Sequence, residues 1–331
     1  MTKIGSYAGR TDTGRKRRRN EDSYVIAPPL FAVADGMGGA QGGEVASKLA
    51  AAALEDTDPG RLTGPARVAS LIQEANRRVH ERSSVDPATS GMGTTMTVAL
   101  VESEGVVIGH VGDTRAYRVR DGRIQQLTDD HSLVNELLKS GKLSPDEAQT
   151  HPQRSVITRA VGTDPDVDVD AFTIEAEDGD VFLICSDGLT DMVDDHDILD
   201  VLDKHRGDLD RAVKSLVAAA NRGGGEDNIT AVAFRVAAEA AGDETMQMPA
   251  AGAPDEDTQE QVAELQPSVD TMVIPPDRID QELLEPGSPE ALAAARQNVE
   301  PFDSTARLRL ALTMVGLLAI AAALLVWGLL R

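Results

Sequence analysis

Acidic residues recur at the ends of apolar runs in this chain of 331 residues. The run "FAVAD" ends in Asp35, "VVIGHVGD" ends in Asp113 and "VFLICSD" ends in Asp187, and glycine follows the first and the last of these acids. Apolar runs of this length, rich in Val, Ile and Phe, are typical of buried strands. Two further acid pairs stand directly before such runs, Glu21 with Asp22 and Glu226 with Asp227.

The repeated placement of carboxylates at strand ends predicts a metal centre. In an antiparallel sheet the start of one strand lies beside the end of its neighbour, so these acids can converge on one edge. Several carboxylates cannot share a site unless cations neutralise them. Oxygen ligands without His or Cys clusters select hard ions such as Mg²⁺ or Mn²⁺. A single acid would indicate only a turn, because turns favour Asp, but the recurrence favours a site.

Other catalytic motifs fit the sequence poorly. "GMGGAQ" begins like a dinucleotide-binding loop, but Gln41 stands where that loop has glycine, and Asp35 would repel a pyrophosphate. No Walker loop, His-Glu-x-x-His pair or Gly-x-Ser-x-Gly elbow occurs, so Ser186 and Cys185 gain little support as nucleophiles. Cys185 is the only cysteine and is expected to be a small buried hydrophobe. His110 is expected to be a core or edge residue.

The apolar patterns predict an α+β fold. Strands are expected near residues 23–27, 30–35, 94–101, 105–112, 115–120, 181–186 and 229–236. Helices are expected near residues 42–55, 65–82, 131–140, 144–149, 195–204 and 208–222. The strands come in consecutive clusters with blocks of helices between them, which favours antiparallel sheets packed under helices over a doubly wound parallel sheet.

Composition divides the chain into three regions, of which residues 1–237 carry the elements above. Residues 238–306 hold sixteen acidic and two basic residues and eight of the sixteen prolines. Such a segment cannot bury enough apolar surface to fold, so a disordered acidic linker is predicted. Residues 307–331 include twenty uncharged residues, Ala311 to Leu330. A helix of that length can cross ~30 Å of hydrocarbon, so a transmembrane anchor is predicted.

The distribution of charge predicts the location of the protein. Arg307 and Arg309 precede the predicted span, only Arg331 follows it, and the N-terminus has no apolar signal sequence. We therefore expect a single-pass protein of the inner or cell membrane whose folded domain faces the cytoplasm. The net charge of −23 disfavours nucleic acid as a partner. The basic run from Arg15 to Arg19 is expected to be mostly a solvated face.

Seven motifs, in the same order, resemble those of the metal-dependent protein phosphatases of the PP2C (PPM) family in its bacterial form. They are "DTGRKRRRNEDS", "FAVADGMGGAQGGEVAS", "GMGTTMTVAL", "HVGDTRAYRVRDGRIQQLTDDHSLV", "HPQRSVITRAVG", "VFLICSDGLTDMV" and "GGEDNITAV". They cover residues 5–236 of the 331. The resemblance implies an α/β/β/α sandwich of two antiparallel sheets flanked by helices, with a mobile flap at about 128–162 that tunes substrate choice or is simply a packing insertion.

The resemblance also implies the ligands of two metal ions, Mn²⁺ or Mg²⁺. Asp35 resembles the carboxylate that bridges the ions, and Gly36 resembles the residue whose carbonyl oxygen binds one of them. Asp187 and Asp227 resemble the remaining direct ligands. These three aspartates, together with Arg17, are the expected catalytic residues.

Three further acids are implied as metal ligands. Glu21 and Asp22 resemble acids that hold metal-bound waters or bind one ion directly. Asp113, in "GDTR", resembles the ligand of a weaker third ion that is found in bacterial members.

The implied activity is the hydrolysis of phosphoserine and phosphothreonine on proteins. Two ions would hold a bridging hydroxide that attacks phosphorus in line, so no phosphoenzyme is needed. Arg17 aligns with the arginine that grips the substrate phosphate, and Arg18 or Arg19 takes this role if the register of the basic run differs by one or two. Many eukaryotic members have a histidine after the Asp-Gly pair, whereas this chain has Met37. The proton donor is therefore left unassigned.

The implied substrates are phosphorylated proteins, including bacterial Ser/Thr kinases and their targets. In the predicted linker, Thr271 and Thr245 follow acids and are candidate phosphorylation sites through which FHA-domain proteins would bind. One alternative is a non-catalytic member of the same fold that binds phosphoproteins, although the retained acids argue against it. Another is a partner-switching phosphatase of the stress response, although such proteins usually carry a sensor domain and none is visible here.

Overall fold

The computed structural model describes residues 2–38, 42–57, 61–149, 151–237 and 272–273. Its strands are, in chain order, β1 (Lys3–Asp12), β2 (Ser23–Ala27), β3 (Leu30–Ala34), β4 (Gly36–Met37), β5 (Gly93–Thr94), β6 (Met96–Glu102), β7 (Gly105–Val111), β8 (Arg115–Arg120), β9 (Arg123–Gln126), β10 (Val156–Ile157), β11 (Asp170–Ile174), β12 (Val181–Cys185), β13 (Ile229–Ala237) and β14 (Met272–Val273). Its helices are α1 (Gly42–Asp56), α2 (Gly64–Val85), α3 (Leu133–Lys139), α4 (Pro145–Gln149), α5 (Asp187–Thr190), α6 (Asp195–Lys204) and α7 (Leu209–Gly223).

Ten of these strands form two five-stranded antiparallel sheets. The first sheet has the order β1-β13-β12-β8-β9, and the second has the order β11-β7-β6-β3-β2. Strands β3, β7 and β12 are buried along their whole length. They read as continuous apolar runs rather than alternating ones because the sheets are covered on both faces.

The two sheets pack face to face through aromatic rings. Phe234 of the first sheet stacks on Phe31 of the second with ring centroids 4.3 Å apart, and on Phe182 of its own sheet at 5.2 Å. Burial of large rings in a close-packed interior contributes strongly to stability. The core between the sheets is therefore centred on these three rings.

Helices cover the outer face of each sheet. Alanines at positions 46, 50 and 53 line the buried side of α1, which with α2 packs on the second sheet. Helix α7 buries Val213, Leu216 and Ala220 and with α6 packs on the first sheet. Apolar residues at this spacing lie on one helical face. The predicted sandwich of two antiparallel sheets flanked by helices is confirmed.

Some elements were not predicted from the sequence. Strand β1 lies at a sheet edge, and Ala8 is its only buried residue, so its pattern lacks the apolar run that marks the central strands. Strand β11 is also an edge strand and has no buried residue. Helix α5 is a single turn that begins at Asp187, too short for a periodic signal. Strand β9 follows a tight Asp-Gly turn, in which Asp121 has φ 49°.

The C-terminal expectations fall almost entirely outside the described residues. Within the predicted linker, Met272–Val273 form β14, which pairs in parallel with β10 and was not anticipated. The rest of residues 238–306, with Thr245 and Thr271, and the predicted span Ala311–Leu330 lie outside the described part of the chain. Among the residues that are described, no helix is long and apolar enough to cross a membrane.

Candidate metal centre and active site

The acids predicted from the sequence lie at strand ends of both sheets, where residues of the two sheets contact each other. In the second sheet β2 and β3 pair antiparallel; Asp22 lies just before β2, and Asp35 lies just after β3. In the first sheet β12 and β13 pair antiparallel; Asp187 lies just after β12, and Asp227 lies just before β13. Antiparallel pairing thus brings each pair of acids to one end of its sheet.

Asp22 joins the two sheets through its carboxylate. The hydroxyl of Ser186, which follows β12, donates to Asp22 Oδ2 at 2.9 Å, and the hydroxyl of Thr230 on β13 donates to the same oxygen at 2.5 Å. Asp22 is buried. A buried carboxylate requires partners of this kind, and here they are supplied by the other sheet.

The site brings together more carboxylates than Arg17, which is paired with Asp227, can neutralise. Desolvation, followed by the charges of Asp22 and Asp187, raises the pKa of Asp35 well above its ordinary value. Desolvation and the charges of Asp113 and Asp227 likewise raise the pKa of Asp187. The pKa of Asp22 is raised to about 6, with desolvation as the largest cause. Mutual effects on the pKa values show that these acids lie within electrostatic range of one another.

The donor set fits divalent cations. Asp22 Oδ1 and Asp187 Oδ1 are buried and have no hydrogen-bond partner among the described residues. Buried carboxylate oxygens without hydrogen-bond donors are costly unless cations occupy the space between them. Within the described ranges no three His, Cys, Asp or Glu side chains already stand at the spacing of a metal centre. Asp22 and Asp227 are instead hydrogen-bonded to protein groups, which cations would have to displace or share.

The backbone of the Asp35–Gly36 turn is fixed by two threonines. The amide N–H of Asp35 donates to Thr95 Oγ1 at 3.1 Å. Its carbonyl oxygen accepts from the amide of Thr95 at 2.8 Å and from Thr94 Oγ1 at 2.7 Å. Since every backbone group of Asp35 has a partner, its side chain is the part of the residue left to bind a cation.

Two glycines permit a close approach at this turn. A Cβ atom on Gly36 would lie 2.2 Å from the carbonyl oxygen of Gly43, and one on Gly43 would lie 2.2 Å from Glu21 Oε2. A Cβ atom on Gly43 would also lie 2.8 Å from the carbonyl carbon of Gly36, and real Cβ atoms do not approach backbone so closely, so both positions require glycine. The predicted ligand Glu21 therefore lies at the start of α1, against the Asp35–Gly36 turn.

Arg17 is the member of the basic run that lies against the acids. Its Nη2 donates to Asp227 Oδ2 at 2.8 Å, and Asp227, Asp35 and Glu21 all act to raise its pKa against the opposing effect of burial. Arg17 Nε is buried without a partner among the described residues. Arg18 is exposed. The structure thus favours Arg17 over Arg18 as the guanidinium at the site.

Two further acids extend the cluster: Asp113, which was predicted from the sequence, and Asp191, which was not. The pKa of Asp113 is raised to about 7 by desolvation and by the charges of Asp130 and Asp191. Asp191 is exposed, lies four residues after Asp187, and contributes to the raised pKa of that residue. Residues four apart lie on the same side of a helical turn. The spacing in "SDGLTD" is the signal that could have identified Asp191.

Asn228 is a second residue that the sequence analysis missed. Its Oδ1 accepts from the amide of Glu21 at 2.8 Å, and its Nδ2 donates to the carbonyl oxygens of Thr13 and Arg19, both at 2.9 Å. It therefore ties the loop that carries Arg17 to the start of β13. Its partners are about 210 residues away in sequence, so nothing local could have revealed this role.

The predicted flap, residues 128–162, contains α3, α4 and β10. Arg115 of β8 holds its start with paired hydrogen bonds to both carboxylate oxygens of Asp130, at 2.7 to 3.1 Å. Near its other end, the charge of Arg154 acts to lower the pKa of Asp191 against the larger effect of desolvation. The flap thus borders the acidic cluster, and its effect on substrate choice stays a prediction.

Comparisons with known proteins agree with this geometry. The family model described as "Protein phosphatase 2C" matches residues 16–224. The chain is 40% identical over 234 residues to the serine/threonine protein phosphatase PstP of Mycobacterium tuberculosis, covering 70% of this chain and 45% of that protein. It therefore spans about half the length of that relative.

A shorter relative and the crystal structure of a catalytic domain match over nearly the whole of the compared chains. A serine/threonine phosphatase (stp) of Listeria welshimeri is 39% identical over 232 residues, covering 67% of this chain and 92% of the other. The crystal structure of a PstP catalytic domain with two manganese ions is 37% identical, with a TM-score of 0.63, covering 70% of this chain and 98% of that one. Donor set, fold and sequence agree, and the chain belongs to the protein phosphatase 2C family.

Proposed function

We propose that this protein is a Mn²⁺- or Mg²⁺-dependent phosphatase that hydrolyses phosphoserine and phosphothreonine on proteins. The observation that carries the proposal is the cluster formed by Asp22, Asp35, Asp187 and Asp227, whose carboxylates outnumber the one guanidinium paired with them, that of Arg17 on Asp227. The relatives named serine/threonine phosphatases support the same activity.

The division of work among the residues follows from their positions. Bound cations would supply Lewis-acid activation of water and of the phosphate. Asp35, Asp187, Asp227 and the Gly36 carbonyl oxygen would hold the cations. Arg17, already aimed at the acids, would present its guanidinium N–H groups to two phosphate oxygens and orient phosphorus for in-line attack.

The nearest nucleophilic side chains are unsuited to forming a phosphoenzyme. Desolvation raises the pKa of the buried Cys185 thiol to about 12, so it stays protonated at neutral pH. Ser186 Oγ is buried, accepts a hydrogen bond from the amide N–H of Thr230 at 2.9 Å and donates one to Asp22 Oδ2 at 2.9 Å. Direct attack by water is therefore the route that these residues support. Met37, which is buried beside the turn, carries no proton for the leaving alkoxide.

The activity is tested on the full chain with Mn²⁺ and a phosphothreonine peptide. We expect phosphate release that stops in EDTA and falls at least about 10³-fold in Asp187→Asn. Release that ignores both EDTA and the substitution would contradict the metal-dependent mechanism. A wild-type chain that binds the phosphopeptide without releasing phosphate would support the non-catalytic alternative instead.

We further propose that the protein is anchored in the cell membrane by Ala311–Leu330, with residues 1–237 on the cytoplasmic side. The twenty uncharged residues and the two arginines before them support this proposal. Full-length protein should stay in the membrane pellet after alkaline carbonate extraction, whereas a chain ending at residue 306 should be released. Release of both would contradict the anchor.

The proposed partners are bacterial Ser/Thr kinases, their phosphorylated targets and, through the linker, FHA-domain proteins. The kinases and targets follow from the proposed activity. The FHA proposal is supported by acids before Thr271 and Thr245 and by Ile274 three residues after Thr271. Mass spectrometry after incubation with the cognate kinase should find phosphate on these threonines, and unmodified threonines would contradict it.

A further inference from the structure

The turn that presents Asp113 is held from the flap by one histidine. The amide N–H of His131 donates to the carbonyl oxygen of Gly112 at 2.7 Å. In return, the amide N–H of Gly112 donates to His131 Nδ1 at 3.0 Å. This reciprocal pair of hydrogen bonds involves both backbone polar groups of the residue directly before Asp113. His131 is buried, so water does not compete for the two bonds.

The ring of His131 is fixed at its far side as well. Because Nδ1 accepts a hydrogen bond, the proton of the neutral ring is on Nε2, which donates to Asp170 Oδ2 at 3.2 Å. Asp170 Oδ1 in turn accepts from Arg159 Nη1 at 2.7 Å. Burial and the charge of Arg159 lower the pKa of His131, which keeps the ring neutral. Arg159 Nη1 also lies 3.1 Å from Nε2 and donates to Asp170, so it is the Gly112 N–H, which can only donate, that fixes Nδ1 as the acceptor.

The ring also rests on a rigid base. His110 lies 4.6 Å from it, centroid to centroid. His110 Nδ1 is bonded to Thr97 Oγ1 at 2.9 Å, and its Nε2 donates to the carbonyl oxygen of Asp129 at 3.1 Å. Both groups hold His110 in one orientation, so the ring of His131 packs against a fixed neighbour.

The turn before Asp113 requires glycine. Gly112 has φ +108°, and a Cβ atom there would lie 2.5 Å from Thr95 Cβ, so the turn has no side chain of its own at this position. Asp113 faces the repulsion of Asp130 and Asp191. Thr95, on which Gly112 packs, is also the residue that fixes the Asp35 backbone. The geometry of the turn therefore affects the acidic cluster at two points.

We propose that His131 is a positioning residue for the metal centre, acting through its Nδ1 hydrogen bond to the Gly112 amide to orient the Asp113 carboxylate toward a divalent cation. The inference rests on the proposed function for the identity of Asp113 as a ligand. It links the first residues of the flap to the affinity of the centre for metal. Hydrogen-bonded partners of ligand residues typically change metal affinity 10- to 100-fold when removed.

Asparagine and glutamine at position 131 test the roles of the two ring nitrogens, Nδ1 and Nε2, separately. The amide group of asparagine is attached at Cγ, so its oxygen can stand where Nδ1 stands and accept from Gly112. The amide of glutamine is attached one carbon further out, so it reaches the position of Nε2 and Asp170 instead. His131→Asn should therefore preserve the bond that carries the proposal, and His131→Gln should lose it.

The test is titration calorimetry of the full chain with Mn²⁺ alone, without substrate. His131→Gln and His131→Ala should weaken one Mn²⁺ site by about 10- to 100-fold. His131→Asn should stay within about threefold of the wild type. At saturating Mn²⁺ the KM for a phosphothreonine peptide should change less than about twofold in all three, because the His131 side chain is buried. Equal Mn²⁺ affinity in the Asn and Gln variants would overturn the proposal.

A variant that already lacks the Asp113 carboxylate tests whether His131 acts through Asp113 or affects metal binding in some other way. In Asp113→Asn the weakened site is already lost, so adding His131→Gln should leave the remaining Mn²⁺ affinity unchanged. A further loss there would show that His131 acts independently of Asp113 and would overturn the proposal. Calorimetry needs no turnover, so a wild-type chain that binds Mn²⁺ but releases no phosphate would defeat the proposed function and leave this comparison intact.

Discussion

Asp35 at the candidate metal centre is placed to bind cations, at a cost in stability of the folded chain. The backbone of Asp35 is bonded to Thr94 and Thr95, while its side chain faces other acids. The raised pKa of Asp35 means that its ionised form is disfavoured in the metal-free chain. A carboxylate kept in such surroundings is destabilising until a cation binds, as is common where function and stability compete.

Replacing Asp35 by asparagine should therefore affect activity and stability in opposite directions. Asp35→Asn removes a metal-binding charge, so kcat/KM with Mn²⁺ and a phosphothreonine peptide should fall by about 10³-fold or more. The same change relieves repulsion among the acids, so the unfolding temperature in EDTA should rise by a few degrees (~2–4 °C for each kcal/mol). Calorimetry and a phosphate-release assay measure the two effects. A variant that is both inactive and less stable in EDTA would point to damage to the fold.

Arg17 should act on the substrate phosphate through the shape of its guanidinium. Arg17→Ala should raise KM for the peptide by about tenfold or more, and Arg17→Lys should recover only part of the loss, because an ammonium cannot bind two oxygens in the same fork. Arg18→Ala is the matched control, since Arg18 is exposed, and it should change kcat/KM less than about twofold. Steady-state kinetics compare the three. A larger effect at Arg18 would shift the assignment within the basic run.

At the scale of elements, the strands that could be predicted are those whose whole length is buried. The run that forms β3 is apolar throughout, so both the strand and the acid at its end, Asp35, could be identified from the sequence. Edge strand β1 buries only Ala8 and offers no such signal. His131 and Asn228 are polar loop residues whose partners lie 19 and about 210 residues away. Such roles depend on tertiary contacts, which a local pattern does not contain.

The contact between the two sheets depends on the stack of Phe31, Phe182 and Phe234. Phe234→Ala should lower the free energy of unfolding by about 3–5 kcal/mol, because it removes a fully buried ring and leaves a cavity between the sheets. Val85→Ala is the control, since Val85 is 82% exposed, and it should change that free energy by less than about 0.5 kcal/mol. Urea unfolding measures both. A loss below about 1 kcal/mol at Phe234 would contradict a central role for the stack.

For the molecule as a whole, the centre lies where the two halves of the sandwich meet. Asp22 and Asp35 belong to the second sheet, and Asp187 and Asp227 belong to the first. Cations held by acids of both sheets would therefore link the two layers as well as activate water. A ligand that binds only the folded chain stabilises it by mass action. Metal binding should consequently stabilise the entire domain rather than a single loop.

The stabilisation by metal should depend on pH. The pKa of Asp22 is about 6 and that of Asp113 about 7 in the folded chain, against an ordinary value of 3.8. Without metal, the folded chain binds more protons than the unfolded chain between pH 3.8 and these raised pKa values. The contribution of both groups is fully present below pH 3.8 and is lost as the pH rises through about 6 for Asp22 and about 7 for Asp113. Cations favour the ionised carboxylates, so they replace the lost contribution at high pH and compete with protons at low pH.

The rise in unfolding temperature caused by Mn²⁺, measured against EDTA at the same pH, should therefore be larger at pH 7.5 than at pH 5.5, by at least about 3 °C. Comparing Mn²⁺ with EDTA at one pH cancels the contribution of groups that titrate equally with and without metal, such as buried His110, whose pKa is lowered to about 3. Asp113→Asn removes one of the two titrating acids and should reduce the difference between the two pH values. Scanning calorimetry of the full chain provides all four unfolding temperatures for each protein. An Mn²⁺ effect of equal size at both pH values would show that the acids are already ionised without metal, because only protonated carboxyls make metal binding compete with protons.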